Sequence, residues 1–240
     1  MFKEFSLKRP FFELGPKVYL YGNDAIQLAL HADKLCDQFG VDIIFTAQYT
    51  DIYRIASQTT HLKVFAQHMD ANSVGRGVGA VLPEALKEAG AVGTLLNHAE
   101  RPLNLSVLNS TIRRADEVGL ATLVCAGSVE ESAAVAEMRP NIVLAESPAL
   151  IGSGKRSEND SVEIGRINRA VRDVDKQIVV LHGAGISNEN DVYQIIRSGA
   201  DGTGSTSAVM CAADPKDMLT RMIRAISRAY YERNENLKEV

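Results

Sequence analysis

The stretch ATLVCAGSVEESAAVAEMRPNIVLA, residues 121–145, contains one complete strand–helix–strand unit. Its apolar runs at 121–126 and 142–145 are typical of buried strands, because neither alternates polar with apolar residues. Between them, Ser128 is well placed to cap a helix, since Glu131 follows three residues later. The stretch therefore predicts two buried parallel strands joined by a helix.

The same alternation continues in both directions along the chain. Apolar runs that predict five further strands lie at residues 11–14, 41–47, 62–67, 92–97 and 177–181, and residues 200–205 predict an eighth, weakest strand. Eight such strands with intervening amphipathic stretches favour a closed (β/α)8 TIM barrel of the α/β class, typically about 250 residues long. An open doubly wound sheet is the competing fold, but no Gly-x-Gly-x-x-Gly motif follows the first strand. We therefore predict one barrel domain over residues 1–240, with residues 1–10 as an N-terminal extension.

Composition and charge exclude several classes of function. The net charge of −4 and the scattered basic residues give no indication of a nucleic-acid partner. No apolar run reaches membrane-spanning length, and the N-terminus lacks the apolar core of a signal peptide. Cys36, Cys125 and Cys211 are too few and too widely spaced for a disulfide framework or a zinc site. We expect a cytoplasmic protein with no metal, no other cofactor, and no nucleic-acid or membrane partner.

Glu146 follows the sixth predicted strand directly, and a loop containing Pro148, Gly152 and Gly154 comes next. The active site of a barrel lies at the C-terminal ends of its strands. A carboxylate on a rigid strand end, beside a Gly-hinged loop, is typical of a proton-transfer residue under a mobile lid. Taken alone, the stretch is equally compatible with a solvated Glu on an ordinary turn.

Two other strand ends supply side chains that suit the same chemistry. Lys17 follows the first strand and His98 follows the fourth. Each alone would more often be an ordinary surface lysine or a satisfied histidine. Together with Glu146, however, they suit enolisation of a carbonyl compound: the carboxylate removes a proton, while the imidazole and ammonium stabilise the enediolate oxygen.

The last two strands end in loops of small residues, Gly183-Ala-Gly185 and Gly204-Ser-Thr-Ser207. Small residues allow backbone N–H groups to approach an anion, and a following helix adds a favourable dipole. One such loop alone would more often be a tight turn. Two of them at the seventh and eighth strands favour a phosphate site.

Several segments resemble the triosephosphate isomerase family, particularly its shorter archaeal-type members. The matching segments are residues 65–70, 81–101, 146–154 and 183–187. The long segment that ends in Asn97-His-Ala-Glu-Arg101 is the most specific of them. The similarity extends from about Lys17 to the end of the last helix.

The resemblance implies an aldose–ketose isomerase of glycolysis and gluconeogenesis, and it implies residue roles. Dihydroxyacetone phosphate and glyceraldehyde 3-phosphate, or a closely related sugar phosphate, would interconvert through an enediolate. His98 would be the electrophile, Glu146 the base, and Lys17 the cation of the first strand, with Glu100 as a nearby second carboxylate. Substrate and phosphate would contact Gly15, Lys17, Ile151, Gly152, Gly185, Thr206 and Ser207. A homodimer or homotetramer is also implied.

The chain departs from the family pattern at two positions in the site. Gly15 stands where the family has Asn, and Ser147 stands where it usually has Pro. These changes, with an unusually small and polar eighth strand, predict room for a substrate larger than a triose phosphate. They also keep open a non-catalytic protein that binds a phosphorylated metabolite. A barrel aldolase that uses Lys17 as a Schiff base is a third, weaker alternative.

Overall fold

The computed structural model describes residues 1–146 and 160–236 of the chain. In this part, eight parallel strands pair in chain order, and β1 also pairs with β8, which closes the barrel. The (β/α)8 fold predicted from the sequence is therefore confirmed. The strands are β1 (Phe11–Leu14), β2 (Asp42–Ala47), β3 (Lys63–Ala66), β4 (Gly93–Leu96), β5 (Ala121–Ala126), β6 (Ile142–Ala145), β7 (Val179–His182) and β8 (Gly202–Ser205).

Helices follow the strands and surround the barrel. They are α1 (Gly22–Phe39), α2 (Ile52–Ala56), α3 (Pro83–Glu88), α4 (Leu105–Val118), α5 (Val129–Glu137), α6 (Asp160–Val174), α7 (Glu189–Arg197), α8 (Ser207–Met210) and α9 (Pro215–Asn236). The four-residue α8 has no counterpart in the sequence prediction. None of the helices that the structure describes is long and apolar enough to cross a membrane.

Side-chain caps fix where several helices begin. The Ser128 side chain accepts a hydrogen bond from the N–H of Glu131, as the sequence predicted for α5. The N-cap of α7 is Asn188. Its side chain accepts from the N–H of Asp191, whose carboxylate accepts from the N–H of Asn188, forming a capping box.

Aromatic rings inside the barrel explain why some strand residues are so small. A β-carbon on Gly202 would lie 2.5 Å from the Phe11 ring, and one on Gly93 would lie 2.4 Å from the Phe65 ring. Both phenylalanines are fully buried. The low hydrophobicity of β8 therefore reflects the space that its neighbour β1 requires, and not a missing strand.

Residues 1–10 approach the barrel from the N-terminal side of the strands. Phe5 packs edge-to-face on Phe65, with 5.7 Å between ring centroids. Leu7 packs against the same interior cluster, and the N–H of Lys8 donates to the Asp42 carboxylate. The segment thereby covers the end of the barrel opposite the loops that carry the candidate site.

Lys17 follows the first strand, as the sequence predicted, but is not adjacent to it. The strand β1 ends at Leu14. Lys17 lies in the following turn with a left-handed φ of 46°. This conformation is uncommon for a residue with a β-carbon and needs support from its surroundings.

Candidate active site

Glu146 is held at the C-terminal end of the barrel by backbone bonds that continue the sheet. Its N–H donates to the carbonyl of Ala126 at 2.9 Å. On the other side, the N–H of Gly183 donates to Ala145. A β-carbon on Gly183 would come within 3.4 Å of Glu146 Oε1 and 2.9 Å of a Leu144 methyl. The glycine therefore leaves room for the carboxylate.

His98 faces this carboxylate across the barrel mouth. Its Nε2 lies 3.4 Å from Glu146 Oε2. The other ring nitrogen, Nδ1, accepts a hydrogen bond from the N–H of Glu100 at 3.1 Å. A backbone N–H can only donate, so Nδ1 carries no proton. The imidazole is then neutral, and its single N–H is on Nε2, which faces the site.

The strained backbone of Lys17 is supported by two side-chain amides. Both Gln48 and Gln67 donate through Nε2 to the Lys17 carbonyl, at 3.0 and 2.9 Å. The lysine Nζ lies 2.8 Å from Glu100 Oε1. Its hydrogen bond to Glu100 lowers the pKa of that carboxyl, so Glu100 is ionised at neutral pH.

These groups open onto one cavity of about 350 Å³ at the C-terminal end of the barrel. Residues predicted from the sequence that line it are Gly15, Lys17, His98, Glu146 and Thr206. The sequence reasoning missed Gln48 and Gln67, which line the same cavity. Both glutamines are polar residues that directly follow a predicted strand or end it. The same sequence feature identified His98 as a candidate.

A second recess of about 150 Å³ lies between the ends of β7 and β8. Gly185, Thr206 and Ser207 line it, as do Lys17 and Glu146, so it adjoins the larger cavity. The loop after β7 is tightly wound, with positive φ angles of 62° at Ala184 and 65° at Gly185. The predicted residues Ile151 and Gly152, together with Ser147, lie outside the described residues.

Glu13 is the most consequential residue that the sequence reasoning missed. It lies within β1, and its side chain lines both the cavity and the recess. The Thr46 hydroxyl donates a short hydrogen bond to its Oε1. Burial raises the pKa of Glu13 to about 7; the Thr46 bond opposes this rise and the charge of Glu146 adds to it. The sequence feature that could have identified Glu13 is an acidic residue within an apolar strand, because acidic residues are rarely buried.

The Glu13 carboxyl also changes the interpretation of Gly15. A β-carbon on Gly15 would lie only 2.8 Å from Glu13 Oε1. The missing side chain at position 15 therefore leaves no extra room for substrate, because the Glu13 carboxyl occupies that space. Among the described residues, no cluster of His, Cys, Asp or Glu is arranged to hold a metal ion.

Comparisons with known proteins agree on one family. A family model described as triosephosphate isomerase matches residues 17–226. The chain is 39% identical to the triosephosphate isomerase of Methanobacterium bryantii, over 90% of this chain and 97% of that one. Identity to the Sulfurisphaera tokodaii enzyme of the same name is 38%, over 92% and 99%. A crystal structure of triosephosphate isomerase from Bartonella henselae superposes with a TM-score of 0.70 at 18% identity, covering 92% of this chain and 99% of that one.

Proposed function

The chain belongs to the triosephosphate isomerase family, and from this premise we propose that it interconverts dihydroxyacetone phosphate and glyceraldehyde 3-phosphate. The observation that carries the proposal is the pairing of Glu146 Oε2 with His98 Nε2 at 3.4 Å, beside Lys17. The family is itself the standard example of a glutamate base working with a neutral imidazole. The geometry of this chain agrees with that mechanism.

Glu146 is the base of the proposed reaction. Its carboxylate takes a proton from the carbon next to the carbonyl of dihydroxyacetone phosphate. The electron pair of that C–H bond forms the double bond of the enediolate, and negative charge develops on the carbonyl oxygen. Return of the proton to the neighbouring carbon gives glyceraldehyde 3-phosphate, after the proton of the first hydroxyl has moved to the second oxygen.

His98 and Lys17 stabilise the charge that develops on oxygen. The Nε2–H of His98 points at the site because the Glu100 N–H occupies Nδ1. A neutral imidazole can donate this proton to one enediolate oxygen and recover one from the other. The Lys17 ammonium adds a fixed positive charge at the junction of cavity and recess.

The substrate phosphate occupies the recess between the ends of β7 and β8. Gly185, Thr206 and Ser207 line this recess, and Lys17 supplies a cation at its edge. We assign Ile151 and Gly152 to the lid that closes over the phosphate, on the strength of the sequence resemblance alone. Gly15 borders the carbonyl end of the substrate.

Neither alternative function is favoured by an observation. A non-catalytic binding protein has no need of a base and an imidazole N–H that face one another. A Schiff-base aldolase requires a neutral lysine amine, whereas the ion pair with Glu100 at 2.8 Å stabilises the charged ammonium of Lys17.

We also propose that the chain forms a homodimer or homotetramer in the cytoplasm. Apolar side chains are exposed on the loops after β1, β2 and β3, which are neighbours at the barrel mouth: Val18, Tyr49, Val74 and Val78. Val78 is fully exposed. Exposed apolar side chains on neighbouring loops are typical of a protein interface. The three cysteines are free thiols, which supports a reducing compartment.

The proposed activity is tested by a coupled assay of purified protein in both directions. We expect turnover of at least about 100 s⁻¹, within the usual range for enzymes. Glu146→Gln should lower kcat by at least about 10³-fold, because the amide cannot accept the carbon-bound proton. Val162→Ala, on the exposed face of α6, is the matched control and should keep full activity. Wild-type turnover that is absent, or that survives Glu146→Gln, would reject the proposal.

A further inference from the structure

Two glycines leave space for the Glu13 carboxyl group at the barrel mouth. Oε1 lies 2.8 Å from the position of a β-carbon on Gly15, and Oε2 lies 3.0 Å from that of one on Gly204. One glycine follows the strand that carries Glu13, and the other lies opposite it in the register of β1 with β8. A side chain at position 15 would displace the carboxyl, and one at position 204 would meet the Glu13 backbone carbonyl at 2.6 Å as well as the carboxyl.

Burial and the nearby Glu146 favour the neutral form of Glu13. Burial raises the pKa of Glu13 to about 7 and the charge of Glu146 adds to the rise, while the hydrogen bond from Thr46 and the charges of His98 and Lys17 oppose it without cancelling it. The proposed substrate brings a phosphate dianion and develops a further negative charge on its oxygens. An ionised Glu13 would repel Glu146, the substrate phosphate and the negative charge that develops on the substrate oxygens. A neutral carboxyl can instead donate a hydrogen bond to one of these groups.

The hydrogen bond from Thr46 leaves one oxygen of Glu13 for the proton. Because the Thr46 hydroxyl donates to Oε1, the proton of the neutral acid lies on Oε2. Glu13 is a lining residue of both the cavity and the phosphate recess, as are Lys17 and Glu146. The acid therefore lies where the two parts of a phosphorylated carbonyl compound meet. The family match begins at Lys17, after this segment.

We propose that Glu13 is a second acid of the active site, whose neutral carboxyl group donates a hydrogen bond to the reacting oxygens of the substrate. The proposal rests on the isomerase function given above and adds a group to its chemistry. Glu13 keeps its proton throughout the cycle. It strengthens its hydrogen bond as negative charge develops on the oxygen, which lowers the barrier without a further proton transfer.

The pH dependence of wild type and Glu13→Gln tests this role. In the wild type, kcat/KM should fall as pH rises through about 7, because the free enzyme loses the proton on Glu13. The descending limb of kcat should lie at higher pH, since bound phosphate disfavours ionisation of Glu13. Glu13→Gln donates at every pH, so its profile should lack this limb. An unchanged limb in Glu13→Gln would overturn the proposal.

Two further variants separate a donor from a space-filling residue. Glu13→Leu fills much of the same space without a donor, and its kcat at pH 6 should be at least about tenfold lower than that of Glu13→Gln. Thr46→Val removes the hydrogen bond that lowers the pKa of Glu13, so the descending limb should move to higher pH. Equal rates for the Gln and Leu variants, or a limb that Thr46→Val leaves in place, would contradict a donor role. Circular dichroism and thermal melting establish that each variant is folded.

A binding measurement separates failure of this proposal from failure of the isomerase function. Calorimetry with 2-phosphoglycolate, whose carboxylate resembles the two enediolate oxygens, needs no turnover. Its affinity for wild type should fall at least about tenfold more between pH 6 and pH 8.5 than its affinity for Glu13→Gln. If the affinities differ in this way but the protein has no isomerase activity, the proposed isomerase function is rejected and the role of Glu13 as a hydrogen-bond donor is kept. If the protein is an isomerase but the affinities do not differ, only the role of Glu13 is rejected.

Discussion

Glu13 and Gly15 show how two residues of one strand end depend on each other. The glycine gives the carboxyl its space, since a β-carbon at position 15 would lie 2.8 Å from Oε1. The carboxyl in turn fills the space that a side chain at position 15 would otherwise occupy. Gly15 alone would have indicated an enlarged pocket, and only the position of Glu13 corrects that interpretation.

The raised pKa of Glu13 makes protein stability depend on pH in a predictable direction. The pKa of about 7 in the folded protein lies above the ordinary value of 4.5, so the folded state binds this proton more tightly. The resulting stabilisation is complete below pH 4.5 and is lost as pH rises through 7. The shift corresponds to about 3 kcal/mol of unfolding free energy.

We therefore expect the wild type to lose about 3 kcal/mol relative to Glu13→Gln between pH 4.5 and pH 8. Urea unfolding of both proteins at half-unit pH steps measures this difference, and other titrating groups cancel in the comparison. Unfolding free energies that run parallel across the range would show that the pKa of Glu13 is not raised in the folded protein.

At the scale of secondary structure, helix caps anchor the elements that shape the recess. The Asn188 side chain accepts from the N–H groups of Asn190 and Asp191. Asn188 lies at the end of the loop that contains Gly185, where α7 begins. Asn188→Ala should lower the unfolding free energy by about 1 kcal/mol, because two N–H groups in the first turn of the helix lose their acceptor. Asn188→Ser keeps an acceptor and should cost less than half as much. Urea unfolding at pH 6 measures both, and equal losses would show that the cap is not the cause.

Most elements could be predicted from the sequence because each has a local signal. The predicted bounds of β1, β5 and β6 agree with the structure, since each apolar run ends at a glycine or a polar residue. The strand β8 is recognisable only by its place after α7. Its glycines are explained by Phe11 and Glu13, which lie almost two hundred residues earlier in the chain.

The site was predictable where a polar residue follows a strand, and not where one lies within it. His98, Glu146 and Lys17 all come after strand ends, where side chains of a barrel converge. Glu13 is flanked by Phe12 and Leu14, and a single acidic residue in an apolar run carries no local sign of which neighbours it meets. Its partners Thr46 and Gly204 come from strands on either side, so only the closed barrel brings them together.

At the scale of the whole molecule, the exposed apolar loops predict self-association. Val78 is fully exposed on the loop between β3 and α3. If this loop contacts a second copy, Val78→Asp places a charge in the interface and should convert the oligomer to monomers. Val162→Asp, on the exposed face of α6, should leave the assembly unchanged. Size-exclusion chromatography with light scattering distinguishes the outcomes, and a monomeric wild type would refute the prediction.

The pairing of β1 with β8 also determines when the site is completed during protein synthesis. The ribosome makes Glu13 and Lys17 near the start of the chain, and Gly204 and Thr206 near its end. Until β8 has emerged and docked, one side of Glu13 remains open to water, where a carboxyl group is ionised at neutral pH. Docking of the final strand buries the group and favours uptake of a proton from solution. A nascent chain therefore carries an ordinary acidic residue at position 13, and the finished barrel raises the pKa of that carboxyl to about 7.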